Sequence, residues 1–127
     1  MKFLYVITIM LVAASCAKHA GDRIETAPSA LLTISRPTAG QLLKTGDSIQ
    51  IVALATATAV IHGYELYLTR QNDTTRICSL SVHDHNDTLI IDRRLQPQPK
   101  GGYEAHILLK LDHEGHTLHK QVRFATE

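Results

Sequence analysis

The residues of this chain best suited to chemistry are its histidines. Eight occur in 127 residues: His19, then His62, His83, His85, His106, His113, His116 and His119. Neutral imidazole is the commonest protein ligand for transition metals, and it is the only unperturbed side chain that changes charge near pH 6.5. His83-x-His85 puts two rings on one face if a strand continues that far, and Asp84 and Asp87 add carboxylate oxygen nearby. A last hairpin pairing Leu111 with His116 sets His106 opposite Gln121, so His119 becomes its diagonal neighbour on the outward face. A Zn2+ or Cu2+ ion needs three or four such nitrogens converging at roughly 2.0–2.1 Å. His83, His85, His106 and His119 are therefore the expected metal ligands, on condition that their strands share a sheet. Two other readings compete: histidines tolerated as polar strand residues, and a pH-responsive interface.

Other chemistries find less support. Ser79 and Ser81 near His83 and Asp84 supply the residue types of a catalytic triad. A triad, however, is defined by geometry and an oxyanion hole, and no nucleophile-elbow, HExxH or CxxC pattern is present. Gly101-Gly102 precedes a strand rather than a helix, so it does not cradle phosphate. No enzyme is expected. Nor is a nucleic-acid partner: without Lys2 the chain carries twelve basic and twelve acidic residues, with no basic stripe.

The address lies in the first sixteen residues. Lys2 is followed by an uncharged run from Phe3 to Ala14, then Ser15 and Cys16. That run has the length of a signal-peptide core, roughly 7–15 residues, and falls short of the ~20 needed to span a bilayer. The pattern resembles the bacterial lipoprotein lipobox, with Ala13 where Leu is usual. The resemblance implies cleavage after residue 15, acylation of Cys16 with chains such as palmitate, and a membrane anchor. Ala17, rather than Asp, implies sorting to the outer membrane of a Gram-negative envelope. Residues 16–29 then read as a lipidated cysteine and a polar tether, and residues 30–127 as one domain. With Cys16 acylated, Cys78 has no partner for an intramolecular disulfide; its parity with Leu80 and Val82 suggests a small buried hydrophobe.

The elements that must position the histidines are strands. Alternating apolar and polar residues mark strands near 31–36, 48–58, 61–70, 76–82, 88–94, 103–111 and 116–124. Pro37 ends the first, Gly46 belongs to a turn before the second, and Gly115 belongs to the turn before the last. Lys120 falls on the apolar face of the last strand, which predicts a bulge or an edge position there. The expectation is an all-β, Ig-like (Greek-key) β-sandwich of about seven antiparallel strands.

Ile34-x-x-Pro37-x-x-Gly40, then Gly46-Asp47-x-Ile49-x-Ile51, and finally Gly102-Tyr103 with Asp112-x-x-Gly115 resemble the strand and turn signals of bacterial Ig-like domains. In the last of these, His116 stands where Asn is usual. In length and layout the chain is similar to small Ig-like lipoproteins, a family with no established activity. Tyr103 stands where a tyrosine corner forms, and equally where a core aromatic begins a strand. The expected role is a non-catalytic envelope lipoprotein, a surface binding, adhesion or accessory module for an envelope protein or surface polymer. The alternative is an extracytoplasmic Zn- or Cu-binding or pH-responsive module.

Overall fold

Alternation along each segment buries every second side chain and leaves the others to solvent, so these segments are stable only as two sheets packed face to face. The computed structural model describes residues 28–127; the signal, Cys16 and most of the tether lie outside the described residues. The strands are β1 (Ala30–Arg36), β2 (Gln41–Leu43), β3 (Ile49–Ile61), β4 (Tyr64–Arg70), β5 (Ile77–Val82), β6 (Asn86–Leu95), β7 (Gly101–Lys110) and β8 (Thr117–Thr126). One sheet has the order β1-β3-β6, the other β2-β8-β7-β4-β5. The protein is an all-β sandwich with Greek-key connections. Ile49, Ile51, Ala53, Ala55 and Ile91 of the smaller sheet face Leu66, Leu68, Ile107, Leu109 and Phe124 of the larger, all almost wholly buried.

The last hairpin has the register anticipated from sequence: Leu109 faces Leu118, Ala105 faces Val122 and His106 faces Gln121. Three details differ from expectation, and a fourth decides between two expected alternatives. Residues 41–43 form a short strand that runs parallel to β8 and not antiparallel. The second long strand continues to Ile61, and the chain crosses between sheets at His62-Gly63. Of the two accommodations expected for Lys120, a bulge or an edge position, the structure has the edge position. The β7–β8 ladder runs unbroken past it, β2 covers β8 only from Phe124 onward, and the Lys120 ammonium reaches across this open edge to the Leu32 carbonyl at 2.9 Å. Cys78 is half-buried rather than buried. It occupies a bulge in β5 with φ of 52°, where its sulfur accepts a hydrogen bond from Gln98 at 3.2 Å.

Tyr103 is wholly buried, and its hydroxyl donates to the Pro99 carbonyl at 2.6 Å, which Thr126 Oγ1 also reaches at 2.8 Å. Pro37 is buried just past the end of β1. Gly46 and Gly115 both have φ of 96°, a left-handed value that their turns require.

Candidate functional site

Three connections converge at one end of the sandwich: the His62-Gly63 crossover, the 83–85 loop between β5 and β6, and the 111–116 turn between β7 and β8. The crossover is fixed by backbone. His62 N–H donates to the Lys110 carbonyl at 2.7 Å, and Lys110 N–H donates to the Gly63 carbonyl at 2.9 Å. Gly63 has φ of 119°, and a Cβ built there would collide with the Val82 carbonyl oxygen. Only glycine lets the chain pass this close to the end of β5, and that passage sets His62 against the 83–85 loop.

The β7–β8 turn is organised by Asp112. Its Oδ1 accepts from the backbone N–H of Glu114 at 2.9 Å and of His116 at 3.0 Å, while Oδ2 pairs with His116 Nδ1. Burial pushes the Asp112 carboxyl up, but hydrogen bonds from His116 and Glu114 outweigh it and leave the group below its ordinary value. His113 sits within this turn, its ring centre 4.1 Å from that of His62. On the other side of His62 lies His85, ring centres 5.0 Å apart, and His85 Nε2 meets His83 Nε2 at 2.8 Å. The result is a connected group of four imidazoles, His113, His62, His85 and His83, drawn from three loops. Burial holds the His62 ring below the usual histidine range, helped by neighbouring His113 and His85 and opposed by Asp112. His62 Nδ1 is buried with no hydrogen-bond partner.

His106 and His119 belong to a different place, the outward face of the larger sheet. His106 lies four residues before Lys110, where β7 ends, which is roughly 13 Å of strand. Tyr67 stacks on its ring at 4.7 Å and His119 lies edge to edge with it, nearly coplanar with ring centres 5.2 Å apart, leaving His106 only 7% exposed. Both its nitrogens are occupied: Nδ1 by His119 Nε2 at 2.9 Å, Nε2 by Thr69 Oγ1 at 2.9 Å. Glu104 stands 3.6 Å from Nε2 and also pairs with Arg123 at 3.0 Å. Burial first, then the charge of His119, lowers the affinity of His106 for a proton, against the pull of Glu104.

The four expected ligands therefore do not form one site. Their strands do not bring them together: His83 and His85 lie in a loop beyond β5, and His106 and His119 lie partway along β7 and β8. Each pair touches, but the pairs are apart. His62 and His113 take the remaining places beside His83 and His85. Sequence patterning had no reason to select them, because the pairing of Lys110 with the crossover joins residues almost fifty positions apart.

Neither a family model nor a curated protein matches the chain. Among solved structures it is similar to the fibronectin(III)-like modules of Clostridium thermocellum CbhA. That likeness has a TM-score of 0.55 and 18% identity, covering 76% of this chain and 94% of the other. It is also similar to part of an engineered protein, with a TM-score of 0.58 and 14% identity, covering 80% of this chain and 21% of that one. At such identities the likeness concerns the fold. The class is a small fibronectin(III)-like, Ig-like β-sandwich.

Proposed function

We propose that this chain is a lipid-anchored module of a bacterial envelope that acts by binding another envelope protein, without catalysing a reaction. The observation that carries the reading is the outward face of the smaller sheet. Leu54 at its centre pairs with Ile90 on β6, and Leu31 on β1 lies one diagonal step away. They are 48%, 80% and 67% exposed. Scattered exposed leucines are ordinary on a soluble surface, whereas apolar side chains aligned across all three strands of a sheet are characteristic of contact surfaces. The backbone that presents them is already ordered by the β1-β3-β6 ladders, so modest affinity suffices between partners held at one membrane.

A catalytic reading gains nothing from the site, because His83 directs its Nε2 to His85 rather than to Ser79 or Ser81. The surface reading is tested by placing a photo-crosslinking residue at position 90 in intact cells. A discrete protein adduct is expected, and Leu54→Asp should reduce it at least about tenfold, since burying a carboxylate in an apolar contact costs several kcal/mol. No adduct under several growth conditions, one that ignores Leu54→Asp, or one with polysaccharide would refute it. Zn, Cu or proton binding by the histidines remains the second reading, favoured by the loop-end group.

A further inference from the structure

We propose that His62, His83, His85 and His113 together bind one divalent transition-metal ion, Zn2+ or Cu2+, at the loop end of the sandwich. This goes beyond the surface reading and does not depend on it.

The first argument is convergence. Four imidazoles from three separate loops meet ring against ring in succession, on backbone that Gly63 and Asp112 hold in place. An all-imidazole set suits Zn2+ and Cu2+ and is ill suited to Ca2+ or Mg2+, which take oxygen.

The second argument is spacing. With metal–nitrogen bonds of about 2.0–2.1 Å, tetrahedral ligand nitrogens lie roughly 3.3 Å apart and their ring centres roughly 5 Å apart. Here His83 and His85 Nε2 are 2.8 Å apart, and neighbouring ring centres are separated by 4.1, 4.6 and 5.0 Å. These are the adjacent pairs of a chain of rings, and no three of the four now have ligand atoms within 4.8 Å of one another. Binding one ion therefore requires the exposed rings at its two ends, His113 and His83, to turn inward about their side-chain torsions, a rotamer motion open to exposed loop residues. A metal would also give a partner to the buried Nδ1 of His62, which has none now, in exchange for the single hydrogen bond between His83 and His85.

Two rival locations are less suitable. His106 and His119 would each have to give up existing hydrogen bonds, in a place enclosed by Tyr67 and Thr69. Asp112, Glu114 and His116 bring their ligand atoms within 4.8 Å of one another, but Asp112 is committed to the backbone of its own turn.

The test uses the full chain, purified in detergent and titrated calorimetrically with Zn2+ and with Cu2+. One equivalent should bind with a dissociation constant below about 1 μM, well clear of surface histidine binding. Bound Cu2+ should show nitrogen hyperfine splitting in its electron paramagnetic resonance spectrum. His85→Ala and His113→Ala, both in exposed loops, should each weaken binding at least about tenfold, because even outer-shell substitutions cost 10–100-fold. His119→Ala and Glu114→Gln should change it by less than about threefold, as expected of residues outside the coordination sphere. The proposal is overturned by affinity weaker than about 100 μM, by binding that survives His83→Ala/His85→Ala, or by loss of binding in His119→Ala or Glu114→Gln. Because neither substitution set touches Leu54 or Ile90, failure here leaves the crosslinking result unaffected.

Discussion

Two histidine groups of similar composition behave differently because of what surrounds each nitrogen. Both ring nitrogens of His106 have a protein partner, so that ring acts as a buried structural element. In the loop group His62 Nδ1 is unmatched and the other rings are exposed or half-buried, so nitrogen lone pairs can be offered to a ligand. The burial of His106 has a consequence for stability. Burial and His119 lower its pKa in the folded protein below the ordinary 6.5, against the attraction of Glu104, with Arg76, Tyr67 and Thr69 completing its surroundings. The unfolded chain therefore binds the proton more readily, and stability is fully present above pH 6.5 and lost as pH falls from there to the lower folded-state value. His62 contributes in the same direction. Melting temperature measured in chelator between pH 8 and 5 should fall on acidification. His106→Gln should flatten part of that slope, and an unchanged slope would show that the burial of His106 is not its source.

Among the elements, the crossover between β3 and β4 does most to create the candidate site. A single residue with left-handed backbone and no room for a side chain, Gly63, lets the chain leave one sheet and join the other beside the end of β5. Gly63→Ala should destabilise the fold by about 2 kcal/mol or more, since backbone strain and collision add. Gly46→Ala is the control: it shares the left-handed backbone, with φ of 96°, but has nothing within 4 Å of the added Cβ. It should cost only the strain, about 1 kcal/mol. Urea unfolding of both variants distinguishes them, and equal losses would mean that close approach at Gly63 is unimportant. The strand positions themselves were legible because alternation and turn residues are local signals. The short β2 was hidden because three residues carry too little pattern to distinguish a strand from a turn. Lys120 was legible as a misfit, while its acceptor on another sheet was not.

Across the whole molecule, the two open sides of the sandwich are each closed by a long basic side chain. Lys120 reaches from β8 to the Leu32 carbonyl, and Arg93 reaches from β6 to the Tyr64 hydroxyl at 3.1 Å. Such inward-reaching charges also protect the edges from unwanted strand pairing. The chain joins the sandwich where Ala30 pairs with Ala57, four residues before Ile61 and so toward the histidine end. A lipid on Cys16 would thus tether the domain from that end, within about 50 Å of the bilayer at the full reach of fourteen residues. Labelling cells with palmitate should mark the wild-type protein and not Cys16→Ser, which should leave the membrane fraction; equal labelling would remove the anchor from the proposal. The sequence by itself determined the strand pattern, the sandwich class, the register of the last hairpin and the richness in histidine, because each is written in spacing along the chain. Only the tertiary structure decided which histidines meet. Membership in a site depends on which loops share an end of the sandwich, and that follows from contacts between residues far apart in sequence.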